Sequence, residues 1–404
     1  MARSGRPVRG WRGQFARIFV YASLTIAGLV VLIPFLFALS GSMKTSEDVF
    51  TYPPRILPHV PVTATVDGKE LPVFTVPLVG GGTAELARLK NGTSLREFRK
   101  VDDPEFILVS PKDALDPTGT TVTVDGEEKD VYVITVDGQQ VEVYDNRSRI
   151  GGTYIDPANP NAPPVFAVPA DVVPAEQISF QTGNYTKVLN LNGFSRALTN
   201  TVLITILVVA GQVLTSILGG YAFARLRFRG REKLFLFYLG SIMIPFVVLI
   251  IPLYLLMVEI GWVNDLVSLV IPFAFTAYGT FLMRQFFVTI PKELEEAAIL
   301  DGASRWTILW KVFVPLSIPA IATLTTFSFL YAWNSFVWPL IVIDSGNQEN
   351  SVLALTLATL GGRAADAPNL VLAGVMIAMI PPVTVFLLAQ RYFVENVASS
   401  GIKG

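Results

Sequence analysis

Long runs of apolar residues alternate with short polar stretches over most of this chain. A membrane-spanning helix needs about 20 mainly apolar residues, and six runs are near or above that length. They occupy residues 18–39, 199–224, 234–257, 266–283, 316–343 and 370–388. The pattern predicts an all-α polytopic membrane protein with six transmembrane helices, five of them in a core that spans residues 199–390.

One region breaks this pattern, since residues 40–198 are mostly polar and carry the signals of β structure. Asp-Gly strongly favours a hairpin turn because both turn residues must accept positive φ. The dipeptide follows a valine three times, at Asp67-Gly68, Asp125-Gly126 and Asp137-Gly138. We therefore predict a β-rich insert between helices 1 and 2, with a three-stranded meander from Thr121 to Tyr144.

Two further elements are predicted inside the insert. Residues 83–91 have the composition of a short helix, and Gly92 would be its stop. Residues 151–175 are rich in proline and are predicted to form a tether that returns to the membrane.

The distribution of basic residues predicts which loops face the cytoplasm. Residues 1–17 carry five arginines and no acid, and residues 225–233 carry four arginines and one lysine against one acid. Short Lys/Arg-rich loops remain cytoplasmic. We therefore expect the N-terminal segment 1–17 and the C-terminal tail 391–404 inside, and residues 40–198 outside. Cleavage after residues 38–40 as a signal peptide is the alternative, but 22 apolar residues fit a span better than a signal.

Composition excludes several kinds of chemistry. The mean hydropathy is +0.51, the chain has no cysteine, and His59 is the one histidine. Thiolate sites, His clusters and His-based triads are therefore excluded, and the phosphate-binding GxxxxGK[ST] pattern is missing from the sequence. Residues 40–198 carry 14 Lys/Arg against 21 Asp/Glu, a charge of −7 that argues against nucleic-acid binding. We expect no enzyme, no metal and no cofactor in this chain.

The polar stretch from Pro291 to Pro319 lies between the fourth and fifth apolar runs and predicts two short helices joined by a turn. Pro291 suits a first helical position and acidic residues follow it, as helix N-termini favour. Gly302 suits a left-handed helix end, and Ser304 suits the cap of the next helix. From periodicity alone, a membrane-surface hairpin would explain the stretch.

The residues of this stretch resemble the EAA loop of ATP-binding-cassette importer permeases. The similarity rests on Glu296-Ala297-Ala298, Asp301-Gly302-Ala303 and Pro315 at the spacing of that motif, with Val312 and Val314 where Ile and Leu are more usual. It continues through Tyr331-Ala332-Trp333-Asn334 to the C-terminus. The chain is therefore similar to maltose-type carbohydrate permease subunits over residues 185–404.

This resemblance implies a type I importer permease fold, with the EAA loop at residues 291–319 coupling the spans to an ATPase. The residues it assigns to that coupling are Glu296, Ala297, Ala298, Asp301, Gly302, Ala303 and Pro315, and the tail residues Gly401, Lys403 and Gly404 would also contact the ATPase. Asn334 is costly to expose to lipid. We therefore predict that the fifth span lines a pathway or packs on a partner helix, with Tyr331, Trp333, Asn334 and Trp338.

The partners implied are a second, related permease subunit, an ATPase dimer that holds ATP and magnesium, an extracytoplasmic sugar-binding protein and membrane lipid. The location implied is the bacterial plasma (inner) membrane, with multiple spans. The alternative from another class is a membrane-anchored extracytoplasmic binding or sensor module. It explains the insert but leaves residues 291–319 without a role.

The topology can be tested directly because the chain contains no cysteine. We expect a cysteine at position 125 to react with an impermeant maleimide from outside, and one at position 229 to react only from the cytoplasmic side. Labelling of position 125 from the cytoplasmic side alone would overturn the topology.

Overall fold

The computed structural model describes residues 11–79, 81–103, 105–124, 126–136, 139–191, 193–344 and 346–400. They form two compact units. One unit is the segment 57–180, and the other combines the residues on both sides of it.

The second unit is helical. Its helices are α1 (Trp11–Ser42), α2 (Ser46–Val49), α3 (Gly183–Leu189), α4 (Phe194–Arg225), α5 (Arg231–Gly240), α6 (Phe246–Glu259), α7 (Val267–Val270), α8 (Ala277–Thr289), α9 (Lys292–Leu300), α10 (Arg305–Ile308), α11 (Val314–Leu316), α12 (Ile318–Trp333), α13 (Val337–Val342), α14 (Leu353–Gly361) and α15 (Pro368–Ser400). Two 3₁₀ turns, Ser241–Met243 and Ile271–Phe273, and a π-helical turn, Leu309–Phe313, join some of them.

Length and apolarity identify the segments that can cross a membrane. In the described part of the chain, four qualify as they stand: Arg17–Ser42, Phe194–Arg225, Val267–Thr289 and Pro368–Arg391. Two bent pairs qualify together, one bent by 97° between Met243 and Phe246 and one by 81° at Ser317. The number of spans is therefore four, or up to six if each bent pair is one span. Pro245 directly precedes α6 at the sharper bend, where proline lacks the N–H that would continue a helix.

Small residues let α4 and the segment around α8 approach closely. A Cβ added at Gly211 would lie 2.8 Å from the Cβ of Ala274, and one at Gly220 would lie 2.6 Å from the Cβ of Met283. Thr215 donates a hydrogen bond across the same contact to the carbonyl of Ala274, at 3.1 Å. The small residues on this side of α4 therefore form a packing face, as small residues in membrane helices allow.

The chain leaves the helical unit and returns to it at one place. The N–H of Gln181 donates to the carbonyl of Met43 at 2.8 Å, and the buried amide of Asn184 donates to the carbonyls of Ser42 and Lys44. Asn369 of α15 also donates to the carbonyl of Lys44, at 3.1 Å. Residues 40–56 and 181–198, which we predicted as part of the insert, therefore pack with the helices.

The segment 57–180 is built from antiparallel strands. They are β1 (His59–Pro61), β2 (Thr63–Val66), β3 (Lys69–Pro77), β4 (Thr83–Lys100), β5 (Ile107–Ser110), β6 (Pro117–Val124), β7 (Glu127–Val136), β8 (Gln139–Ile155), β9 (Val165–Ala167), β10 (Val173–Pro174) and β11 (Glu176–Ile178). The main sheet has the order β10-β3-β4-β8-β7-β6, with β2 on β3, β5 on β4 and β9 on β8; β1 pairs with β11. We call this segment the β unit.

The meander predicted from Thr121 to Tyr144 is confirmed, since β6, β7 and β8 pair in succession. The first Asp-Gly turn is confirmed too, because Asp67 and Gly68 have φ of 49° and 76° between β2 and β3. Asp125, Asp137 and Gly138 lie outside the described residues.

The helix predicted at residues 83–91 is wrong. This stretch is the first half of β4, which pairs with β3 on one side and β8 on the other, so that Leu86 and Ala87 are buried. Pairing on both edges overrides a local helical preference. Gly92, with φ of 73°, lies at a register shift between Asn91 and Thr93 and forms a bulge instead of a helix stop. The predicted tether at 151–175 is wrong too, because it contains the end of β8 and the paired strands β9 and β10.

One carboxylate on β4 connects this strand to β8. Glu97 is 2% exposed, and it accepts hydrogen bonds from Arg147 Nε at 2.7 Å, Arg149 Nε at 3.0 Å and Asn146 Nδ2 at 3.0 Å. Arg99 donates to it as well, at 3.3 Å. Burial alone would raise the pKa of Glu97, but the arginine and asparagine donors outweigh burial and lower it to about 2.

This lowered pKa gives the β unit a pH-dependent stability. A depressed pKa contributes stability that is present above about pH 4.5 and is lost as pH falls toward 2. We expect Glu97→Gln to destabilise the β unit by about 1–3 kcal/mol at pH 7, seen as faster hydrogen exchange in β4 and β8. The difference in unfolding free energy between this variant and wild type should become smaller as pH falls from 4.5 to 2. Glu85→Gln, at an exposed position on the same strand, is the matched control; equal exchange in both variants would contradict the assignment.

Candidate functional site

The stretch with the EAA pattern forms a helix, a tight turn and a second helix. Pro291 occupies the capping position and α9 begins at Lys292, one residue later than predicted. Gly302 has φ of 77°, and the N–H groups of Gly302 and Ala303 donate to the carbonyls of Ile299 and Ala298. The Ser304 hydroxyl accepts from the N–H of Thr307 at 3.1 Å and caps α10. The left-handed turn and the serine cap are both confirmed.

One face of this stretch is buried against α4 and α8. Ile308, Leu309 and Phe313 are each at most 1% exposed and belong to one apolar core with Met283 of α8. At its centre Phe313 makes edge-to-face contacts with Tyr221 of α4 and Phe287 of α8, with ring centroids 5.2 and 5.5 Å apart. The loop is therefore packed onto the ends of two membrane helices and is not a detached surface hairpin.

Arg225, the last residue of α4, connects these parts. Its side chain is 5% exposed, and Nη2 donates to the carbonyls of Phe287, at 2.6 Å, and Ile290. Nη1 lies 3.5 Å from a carboxylate oxygen of Glu295 on α9, and the guanidinium lies 4.9 Å from the ring centroid of Phe313. One side chain therefore joins α4, the end of α8, α9 and the π-helical turn.

Glu295 is shared between two arginines. Its side chain is 11% exposed and pairs with Arg225 on one side and with Arg305 of α10 on the other. Arg305 is over half exposed, so it covers this pair from the solvent side. Sequence reasoning missed all three residues as a site. It counted Arg225 only as a topology signal, and the spacing gives no sign that a residue 70 positions away completes the pair.

The opposite face of α9 is open to solvent. Glu296 and Ala297 are exposed, as are Asp301 and Gly302, while Ala298 and Ala303 are half-buried and Pro315 is exposed. Large apolar side chains are also uncovered here: Leu300 is 88% exposed and Trp306 is 61% exposed. An apolar patch beside an acidic helix on a polar loop is typical of a protein-binding surface. We call the exposed residues of this set the loop surface: Glu296, Ala297, Ile299, Leu300, Asp301 and Trp306.

The fifth-span residues that we predicted to line a pathway have different surroundings. Trp338 is 2% exposed and its indole N–H donates to the carbonyl of Ser268, while Trp333 donates to Ala378 on α15. Both indoles are held in packed positions. Asn334 is exposed, donates to the carbonyl of Leu330 at 2.8 Å and lines a cavity of about 490 Å³ with Trp333.

Tyr331 borders a cavity of about 780 Å³, formed beside the break that precedes α6. Tyr278 of α8 and Gln212 of α4 line the same cavity, together with hydroxyl side chains at Thr276 and Ser328. Its wall therefore combines aromatic rings with hydrogen-bonding groups. Within the described residues, no group of three metal-ligating side chains is present. The tail residues Gly401, Lys403 and Gly404 lie outside the described residues.

A family model for the inner membrane component of binding-protein-dependent transport systems matches residues 194–399. The chain belongs to this family. The match begins at the start of α4 and covers the apolar cores around Arg225 and Tyr331, whereas the β unit lies before it. As a member of this family the permease is a transport subunit with several membrane helices.

Known permeases are similar to just over half of this chain. The arabinooligosaccharides transport system permease protein AraQ of Halalkalibacterium halodurans is 36% identical over 205 residues, which is 51% of this chain and 73% of the relative. The sn-glycerol-3-phosphate transport system permease protein UgpE of Pectobacterium atrosepticum is 31% identical over 242 residues, 58% of this chain and 85% of the relative. A chain of a bacterial ABC transporter that imports the acidic polysaccharide alginate aligns with a TM-score of 0.48 and 27% identity, covering 54% of this permease and 81% of that chain.

The role of Arg225 can be tested in the permease alone. Loss of one partner from a buried ion pair costs about 3–5 kcal/mol, so Arg225→Gln should loosen the loop from α4 and α8. A cysteine at position 308, which is fully buried, should be alkylated at least about tenfold faster in the Arg225→Gln background. Arg227→Gln removes an exposed arginine two residues away and should leave the rate unchanged. Equal rates in the two backgrounds would show that Arg225 does not hold the loop.

Proposed function

We propose that this permease forms half of the translocation pathway of an ATP-driven, binding-protein-dependent sugar importer, and that the loop surface is its contact with a cytoplasmic ATPase. The observation that carries the proposal is the two-sided construction of residues 291–319. One face is fixed to α4 and α8 through Arg225 and Phe313, and the other presents Glu296 and Leu300 to solvent. A force applied to the exposed face would reach the membrane helices without being absorbed in the loop.

The chemistry of ATP belongs to the partner in this proposal. ATP and magnesium are held by an ATPase dimer, whose closure moves the loop surfaces of two permease subunits and rocks their helices between inward-facing and outward-facing states. The second permease subunit is related to this chain but not identical to it. The C-terminal residues Gly401, Lys403 and Gly404 are proposed as an additional ATPase contact.

The substrate is proposed to be a sugar or a sugar-like polyol. Sugars present hydroxyl groups and apolar C–H faces, which suit walls that combine amides, hydroxyls and aromatic rings. The cavity beside Tyr331 and Tyr278 has such walls and is our choice for the pathway surface of this subunit. The names of the relatives support the substrate class, since one transports arabinooligosaccharides and another sn-glycerol-3-phosphate.

The proposed setting is the bacterial inner membrane, with both termini and the loop surface in the cytoplasm and the β unit outside. In that position the β unit would be on the side where an extracytoplasmic sugar-binding protein delivers its ligand. A membrane-anchored sensor module is the competing function. It predicts that the loop surface is dispensable, because nothing would need to bind there.

A change to the loop surface that leaves its buried contacts with α4 and α8 intact distinguishes the transport function from the sensor module. Glu296→Lys reverses an exposed charge, and we expect substrate-stimulated ATP hydrolysis by the purified complex to fall by about tenfold or more, with the subunit folded. Glu259→Lys makes the same change at an exposed position outside the loop and should be near wild type.

The turn provides a second, independent pair of variants. The φ of Gly302 is 77° and no atom lies within 4 Å of an added Cβ, so backbone conformation alone restricts this position. We expect Gly302→Val to impair ATPase coupling and Gly302→Asn to retain most of it, because asparagine tolerates the left-handed region. Normal stimulated ATPase activity in both Glu296→Lys and Gly302→Val would leave the sensor module as the better account.

A further inference from the structure

The charge of the β unit is unevenly distributed. Residues 57–180 contain ten Lys/Arg and nineteen Asp/Glu, a net charge of −9. Yet three of its arginines meet on one face of the sheet, around Glu97. We call Arg99, Arg147 and Arg149 the arginine face. Its position is independent of the loop surface and of the proposed transport function.

Strand register brings the three side chains together. Arg147 on β8 is directly opposite Glu97 on β4, and Arg149 is opposite Leu95, so alternate residues of both strands point the same way. The ladder shifts between Glu97 and Phe98, which turns Asn146 toward the same carboxylate. The other side of the sheet carries the apolar core, where the rings of Phe98 and Tyr132 are 5.2 Å apart. The arginine face is therefore on the side of the sheet away from that core.

The carboxylate of Glu97 does not balance the charges of both Arg147 and Arg149. Among the described residues, Glu97 is the acid within ion-pair distance of these two arginines, and it also pairs with Arg99. Arg147 and Arg149 together with Glu97 therefore have a net charge of +1, and Lys129 lies nearby with its ammonium 3.5 Å from the Asn146 side chain. Like charges held this close repel one another, so a second anion would stabilise the arrangement.

The guanidinium groups are fixed but remain accessible. Arg147 and Arg149 bind Glu97 through Nε, at 2.7 and 3.0 Å, so their terminal amino groups remain as donors. The side chains of Arg147, Arg149 and Arg99 are 52%, 38% and 30% exposed. Glu97 restricts their rotamers before any ligand arrives, which lowers the entropy lost on binding. Planar guanidinium groups match the geometry of carboxylates and phosphates.

We propose that the arginine face binds the oxyanion group of a small solute, a carboxylate such as that of an acidic sugar or a phosphate such as that of a phosphate ester. Arg147 and Arg149 bind the oxyanion directly, and Glu97 positions them. A purely structural ion-pair cluster is the competing explanation, and it predicts no ligand.

The test uses the full chain in nanodiscs of zwitterionic lipid, with calorimetric titration by galacturonate, glycerol phosphate, inorganic phosphate and uncharged galactose. We expect millimolar or tighter binding of at least one anion, none of galactose, and weakening as salt is added. The preferred anion distinguishes a carboxylate from a phosphate site. Arg147→Gln/Arg149→Gln should weaken anion binding at least about tenfold. Lys69→Gln, which removes an exposed cation from the same unit, should leave the affinity unchanged.

Glu97→Gln provides a readout that a structural cluster would not produce. It removes the negative charge that competes for the arginines but keeps an amide oxygen that can accept hydrogen bonds from them. This variant should therefore bind the anion more tightly than wild type even though the β unit is less stable. The proposal is wrong if none of the anions binds wild type, if the double arginine variant binds as well as wild type, or if Lys69→Gln weakens binding to the same degree as the arginine changes.

Discussion

The loop surface of the helical unit depends on the contacts of one buried group, the guanidinium of Arg225. Burying a charge in a membrane protein is costly unless the charge is paired and hydrogen-bonded. Arg225 meets this cost with two backbone carbonyls at the end of α8, the carboxylate of Glu295 and the face of Phe313. These partners belong to three elements, the end of α8, α9 and the π-helical turn, so satisfying one charge fixes the positions of all three relative to α4.

This constraint gives a short polar loop the fixed position that the proposed coupling role requires. A nine-residue helix such as α9 has little stability by itself. It is ordered here because Glu295 anchors it from within and because the core around Tyr221 and Phe287 holds the segment that follows. The exposed residues of α9 are thereby free for binding, since none of them is needed to keep the helix in place.

Local rules predicted the features of both units that are locally determined. Gly302, the cap at Ser304 and the turn at Asp67-Gly68 each follow from the conformation of two to four neighbouring residues. The close approach at Gly211 was also predictable, because small residues recur at helical spacing. The ion pair of Glu295 was not predicted because it depends on Arg225, at the end of another helix. The EAA pattern assigned a role to the adjacent Glu296 and not to Glu295.

The errors in the β unit have the same origin. Residues 83–91 form a strand because β3 pairs with one edge of β4 and β8 with the other. The sequence of these nine residues alone does not indicate that pairing. The composition likewise indicated an acidic insert, but the pairing register of β4 and β8 places basic side chains together in the arginine face. The fifth span shows that residue type alone does not predict a side chain's surroundings. Tyr331 borders a cavity, whereas Trp333, two residues later, donates a hydrogen bond to α15.

The central claim is that α9 and α4 move as one body during transport. Spin labels at introduced cysteines 203 and 293, in an otherwise cysteine-free chain, measure the distance between α4 and α9 by double electron–electron resonance in the assembled complex. The account predicts the same distance distribution in the nucleotide-free and ATP-bound states, and a broader one in the Arg225→Gln variant. A distribution in the wild-type subunit that shifts when ATP binds would contradict it, because α9 would then be moving independently of the helix that Arg225 is said to hold.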